Sequence, residues 1–143
     1  MSEILGALNF RNSSKLLTSF EKKLNKINHN YNNYKFHDDK KFKILFSKKS
    51  IFINKDNNLV ICLYGYIFNL NTLSSEYNFS YDNSLLFLYK KLGIKDLLNI
   101  LNGDFVLTIY DRNINRLYIC RDRFGLRPIF YRLYEGALLF SSR

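Results

Sequence analysis

The chain has 143 residues, 47% of them hydrophobic, with 13 Phe, 11 Tyr, 6 Gly and 1 Pro. That is the length of one domain, taken here as residues 1–143, with ample apolar material for a core and too little Gly and Pro for a fibrous or low-complexity polymer. The net charge of +10 comes from dispersed lysines such as Lys22, Lys23, Lys48, Lys49, Lys90 and Lys91. Without one basic block it reads as a Lys- and Asn-rich surface, not as a nucleic-acid footprint.

The opening MSEILGALNF has no basic segment followed by a long apolar stretch, so no secretory signal is expected. The longest apolar run, Leu59 to Phe68, is too short to cross a bilayer. The expectation is a soluble cytoplasmic protein with no membrane partner. Ile4 to Asn9 reads as a strand. Leu16, Leu17, Phe20, Leu24 and Ile27 then recur at helical spacing, with Ser13 or Ser14 as caps. Asn28 to Lys41 has no period and reads as a polar loop. His29, His37, Asp38 and Asp39 fall in it, at a spacing that polar loops give without a metal, so no metal site is assigned.

Two strands follow, Phe42 to Ile53 and Leu59 to Phe68, joined through Asn54-Lys55-Asp56-Asn57-Asn58 as a hairpin. Asn69 to Tyr81 reads as a polar connection. Asp82 and Asn83 offer caps to a helix bearing Leu85, Leu86, Leu88, Tyr89 and Leu92, closed by Gly93, and a short helix Ile94 to Leu101 is closed by Gly103. The rest reads as strands: Phe105 to Tyr110, Leu117 to Arg121, Ile129 to Leu133 and Ala137 to Ser141. Cys62 and Cys120 sit inside apolar runs and read as buried thiols rather than as a disulfide. This order favours an α+β domain whose strands pair through antiparallel hairpins.

The segment LNGDFVLTIYDRNINRLYICRDRFGLRPIFYR, Leu101 to Arg132, is more orderly than its surroundings. Gly103 can end a helix at positive φ, and Asp104 follows it. Arg121-Asp122-Arg123-Phe124-Gly125-Leu126-Arg127-Pro128 makes a charged loop punctuated by Gly and Pro, in which alternating Arg and Asp can brace the backbone. NGDFVLTIY also has the rhythm of an RNA-recognition strand, but Asp104 and the lack of a second stacking strand count against it.

In order and spacing, Leu101 to Ser142 resembles the end of the N-terminal glutaminase domain of the asparagine synthetase family. There a Leu-x-Gly-x-Phe strand leads to Arg-Asp-x-x-Gly-x-x-Pro and a closing hairpin, matched here by Gly103, Asp104, Arg121, Asp122, Gly125 and Pro128. The resemblance implies an N-terminal-nucleophile hydrolase fold: a four-layer αββα sandwich of two antiparallel sheets. It also implies where an active site would lie. The nucleophile position, Cys in glutamine-hydrolysing members, is Ser2, a far less acidic group. The oxyanion positions, Asn and Gly in the family, are Tyr64 and Gly65. Tyr66 stands for the Glu that holds the substrate amine, and Lys49 for the Arg that clamps its carboxylate, without the planar fork of Arg. Asp82 matches a substrate-binding Asp, but its Gly and Glu neighbours have become Ser80 and Ser84, and the family's Arg-His-Arg-Gly-Pro-Asp loop has no counterpart.

The resemblance therefore implies a degenerate glutaminase domain, as in β-lactam synthetases and lasso-peptide cyclases. It would serve as the platform of an ATP-dependent amide-forming synthetase. No Ser-Gly-Gly-x-Asp-Ser pyrophosphate loop is present, so ATP and Mg²⁺ are expected only in a synthetase domain or subunit, joined in cis or in trans, and no cofactor in this domain. Two other readings stay open: an active amidohydrolase using Ser2, and a basic module binding a peptide or nucleic acid.

Overall fold

The computed structural model describes residues 4–9, 18–20, 22, 26, 34–38, 41–47, 51–80 and 83–142. Residues 18–20, 22 and 26 are helical, as the spacing of apolar residues in that stretch predicts. The chain forms two compact units, Met1–Ile51 with Pro128–Arg143, and Phe52–Arg127. No helix among the described residues is long and apolar enough to cross a membrane.

The first unit holds a five-stranded sheet. Its strands are β1 (Ile4–Asn9), β2 (Tyr34–Asp38), β3 (Phe42–Ser47), β8 (Phe130–Tyr134) and β9 (Ala137–Ser141). Their order is β2-β3-β1-β9-β8, and every pairing is antiparallel. Ile4, Ala7, Leu8, Phe42, Ile44, Ala137 and Phe140 are buried, and the rings of Phe42 and Phe140 stack with centroids 6.4 Å apart. The start of β1 is fastened twice: the Ser142 N–H donates to the Ile4 carbonyl at 3.0 Å, and the Ile4 N–H donates to Ser142 Oγ at 3.2 Å.

The second unit holds the sheet β4-β5-β6-β7, made of Ile51–Lys55, Leu59–Ile67, Gly103–Asp111 and Arg116–Arg121. Two helices, α1 (Leu70–Tyr77) and α2 (Ser84–Ile100), stand between β5 and β6 in the chain. Odd-numbered residues of β5 and β6 (Leu59, Ile61, Leu63, Phe105, Leu107, Ile109) join Leu73, Leu85, Leu88, Tyr89 and Leu97 of the helices in one core. This is the period-2 side of a sheet meeting the period-3.6 side of a helix. Deep in this unit the Tyr89 hydroxyl donates to Asp111 Oδ2 at 3.0 Å. Gly93, at φ 75° and ψ 178°, divides α2 into the two helical runs that the sequence predicts.

The α+β order and the two antiparallel sheets agree with expectation, as does the turn at residues 56–58, where Asp56 Oδ1 accepts the N–H groups of Asn58 and Leu59; Asn83 stands at the N-cap position of α2 but makes no side-chain cap hydrogen bond there. Four expectations need correction. The predicted strand Phe42 to Ile53 is two strands, and they lie in different sheets: β3 pairs with β1 and β2, and only β4 makes the hairpin with β5. The predicted loop Asn28 to Lys41 contains β2, which carries His37 and Asp38. The polar connection Asn69 to Tyr81 contains α1, anchored by buried Leu70 and Leu73. Gly103 does not close a helix: α2 ends at Ile100 with Leu101 extended beyond it, and Gly103 opens β6.

Candidate functional site

The alternation of β5 puts Tyr64 and Tyr66 on the face opposite the helices, and its register sets Tyr64 across from Val106, Gly65 across from Phe105 and Tyr66 across from Asp104. Tyr64 is half-buried and Tyr66 is 64% exposed. Between them Gly65 adopts φ +111°, a region closed to most side-chain-bearing residues. A Cβ there would lie 2.1 Å from the Asp104 carbonyl oxygen and 2.6 Å from Arg127 Nε. Backbone conformation and space both demand glycine.

Arg127 fills that space. Its Nε–H donates to the Asp104 carbonyl oxygen at 3.2 Å and its terminal NH2 to Asp104 Oδ2 at 2.9 Å. Nε also forms an ion pair with Asp104 Oδ1 at 2.8 Å. The N–H aims at the carbonyl, so that short distance is charge pairing rather than a third hydrogen bond. The guanidinium carbon lies 4.5 Å from the centroid of the Tyr64 ring, a cation–π stack. Burial works to lower the Arg127 pKa, but its interactions with the Tyr64 side chain and with Asp104 raise it overall. Arg127 is thus a fixed cation tied on two sides.

The loop that delivers Arg127 is braced from within. Buried Asp122 accepts the N–H of Phe124 on Oδ1 at 2.9 Å and that of Leu126 on Oδ2 at 3.1 Å, and its own N–H donates to the Phe105 carbonyl at 3.0 Å. Arg121 donates to the Gly125 carbonyl, and Gly125 takes φ +62° to make the bend. The bracing expected of alternating Arg and Asp is present, though its pairs are side chain to backbone. Gly103 acts through space: a Cβ on it would lie 2.2 Å from the Tyr66 carbonyl oxygen.

Among the positions singled out in the sequence, the structure brings together Tyr64, Gly65, Tyr66 and Asp104, and joins Arg121, Asp122 and Gly125 in the loop. Pro128 opens the segment of the first unit that leads into β8. Ser2, Lys49 and Asp82 lie outside the described residues, as does His29. Arg127 is not among those positions. Its signal was its place directly before Pro128 in the Arg/Asp loop, and only the fold shows that it returns to Tyr64.

The glutamine amidotransferase domain family matches residues 47–143. The chain is 31% identical over 122 residues to asparagine synthetase [glutamine-hydrolyzing] 2 of Bacillus subtilis (strain 168), covering 75% of this chain and 16% of the relative. It is 31% identical over 100 residues to asparagine synthetase [glutamine-hydrolyzing] of Rattus norvegicus, covering 66% and 18% respectively. The chain thus spans less than a fifth of the length of either relative. Glutamine phosphoribosylpyrophosphate amidotransferase from B. subtilis, solved with ADP and GMP, aligns with 99% of this chain and 36% of its own, at a TM-score of 0.59 and 17% identity. At that identity the likeness shows the fold, of the N-terminal-nucleophile type that the resemblance implies. By the match to residues 47–143 and by these relatives, the chain belongs to the glutamine amidotransferase domain family.

Proposed function

We propose that this domain has lost glutamine hydrolysis and serves as a scaffold for an asparagine-synthetase-like, ATP-dependent amide-forming domain or subunit, in cis or in trans. The observation that carries the reading is the occupancy of position 64. An oxyanion hole needs a hydrogen-bond donor aimed at the oxygen where charge develops, a place that the resemblance gives to an Asn amide, and removing one such donor lowers kcat by about 10²–10³. Position 64 instead presents an aromatic ring covered by the guanidinium of Arg127, which Asp104 holds in place. Ser2 in place of a thiol, and Lys49 in place of a carboxylate-clamping Arg, support the same reading from the sequence. ATP and Mg²⁺ would bind only in the synthetase, and the amide it makes would take its amine from a source other than glutamine.

The test is ammonia release from glutamine by the Met-processed protein, by Ser2→Cys and by Ser2→Cys/Tyr64→Asn. Neither the wild type nor Ser2→Cys is expected to exceed the uncatalysed rate. Turnover by the wild type would overturn the proposal and make Ser2 a working nucleophile. Turnover by Ser2→Cys alone would show that Tyr64 does not disable the site.

A further inference from the structure

β8 ends the first sheet among the described residues, and all five of its residues are exposed, with Tyr131 at 73% and Leu133 at 69%. Its sequence is Phe-Tyr-Arg-Leu-Tyr, and it pairs with β9 without a bulge from Phe130↔Ser141 to Tyr134↔Ala137. Edge strands are commonly guarded by Pro, by several charges, by bulges or by a covering segment. β8 carries no Pro, no bulge and one charge, Arg132.

The turn fixes which backbone groups face outward. Glu135 and Gly136, at φ 47° and 77°, form a two-residue hairpin turn between Tyr134 and Ala137. In such a hairpin the flanking pair exchanges both hydrogen bonds, and bonded pairs then alternate along the ladder. Phe130, Arg132 and Tyr134 therefore spend their N–H and C=O groups on β9. Those of Tyr131 and Leu133 point away from the sheet.

On one face of this edge Phe130, Arg132 and Tyr134 stand in a row, with the Arg132 guanidinium 5.2 Å from the centroid of the Tyr134 ring. β9 supplies no carboxylate across from Arg132, because Ala137–Ser141 are uncharged. We propose that the outer edge of β8 is a strand-addition site for an extended, acidic segment of a partner protein. Such a segment would bond to the backbone of Tyr131 and Leu133, set a carboxylate opposite Arg132 and place apolar residues beside Phe130 and Tyr134. Charge decides against a second copy as the occupant. Two-fold pairing centred on the strand sets Arg132 against Arg132, and each copy brings a net charge of +10. Centring instead on Tyr131 or Leu133 separates the arginines but shortens the ladder.

The probe is the capped peptide Val-Thr-Glu-Thr-Val, compared with a counterpart carrying Lys in place of Glu, titrated into the ¹⁵N-labelled protein up to millimolar concentration. The Glu peptide should slow amide exchange at Tyr131 and Leu133 and bind about tenfold tighter than the Lys peptide. Leu133→Pro removes one outward N–H and no bond to β9, so it should lower binding about tenfold while the melting temperature holds. Arg132→Glu should reverse the peptide preference, and it keeps the proposal testable if Leu133→Pro does not fold. Equal binding of the two peptides, binding indifferent to Arg132→Glu, or no binding at all would overturn the proposal. So would concentration-dependent dimerisation abolished by Leu133→Pro, which would give the edge to a second copy.

Discussion

Gly65→Ala tests the geometry around position 64 directly. The new methyl group would sit 2.1 Å from the Asp104 carbonyl oxygen, 2.6 Å from Arg127 Nε and 3.0 Å from Phe105 Cα. Arg127 is a flexible side chain and can withdraw. The Asp104 carbonyl and Phe105 Cα belong to β6, which pairs residue by residue with β5 and cannot withdraw without opening the ladder. Holding a non-glycine residue at φ +111° costs about 1–3 kcal/mol, and overpacking a close contact costs a further amount of about 1–3 kcal/mol. A combined loss of about 4 kcal/mol is a large part of the roughly 5–15 kcal/mol that holds a domain folded. For a chain of this length it corresponds to a fall in Tm of about 8–16 °C. Thermal melts of wild type and Gly65→Ala, followed by far-UV circular dichroism, read it. Arg127→Ala added to Gly65→Ala should recover only part of the loss, because the backbone contacts remain. A fall under about 2 °C would refute the close approach of β5 to β6 and with it the packing of Arg127 on Tyr64.

Burial pushes the Cys62 thiol up to about 12, against a weaker opposing effect of the neighbouring Thr108 hydroxyl, and pushes Cys120 up to about 11. Both thiols are therefore protonated at pH 8; buried Cys62 should react with Ellman's reagent only after urea is added and half-buried Cys120 slowly before it, and fast labelling of two thiols in the folded protein would contradict this placement. Burial works to raise the Asp56 carboxyl, but hydrogen bonds from Lys90 and from the N–H groups of Asn58 and Leu59 outweigh it and set it below the usual carboxylate value. A folded pKa below the unfolded one gives stability that is complete above about pH 4 and is lost as pH falls through the folded value. The urea midpoint should accordingly fall from pH 5 to pH 3 less steeply in Asp56→Asn than in the wild type, and equal slopes would refute the role of this pair.

The β5–β6–β7 region was legible because its signals agree: apolar runs of strand length, turns rich in Asn and Asp, and glycines at the joints. The helix Leu70–Tyr77 was hidden because LNTLSSEY holds four residues that compete with the helix backbone, and only Leu70 and Leu73 anchor it. β2 was hidden for a different reason. Tyr34 and Phe36 alternate with Lys35 and His37 as a strand should, but the Asn-rich run before them outweighs a period only five residues long. The break between β3 and β4 was marked by Ser47-Lys48-Lys49-Ser50, which an apolar-run reading carried straight through. Arg127 was out of reach of periodicity altogether, since its partner Asp104 is 23 residues away and meets it only through the β6–β7 hairpin and the Asp122 turn.

That last contact bears on what the orderly Gly/Asp/Arg/Pro segment is for. The carboxylate of Asp122 is engaged by the backbone of its own loop, Arg121 by the Gly125 carbonyl, and Arg127 by Asp104 and Tyr64. Gly65 and Gly103 are kept small by a neighbouring carbonyl oxygen. Each of these groups is committed to another part of the same unit, and the arrangement that results is a braced end of the β5–β6 pair. Such a segment persists under selection for folding alone, with or without turnover of a substrate. Its presence is therefore an argument for the family and the fold. The argument about glutamine rests elsewhere, on position 64, where a tyrosine ring packed against the Arg127 guanidinium that Asp104 holds stands in place of the amide donor that the resemblance implies.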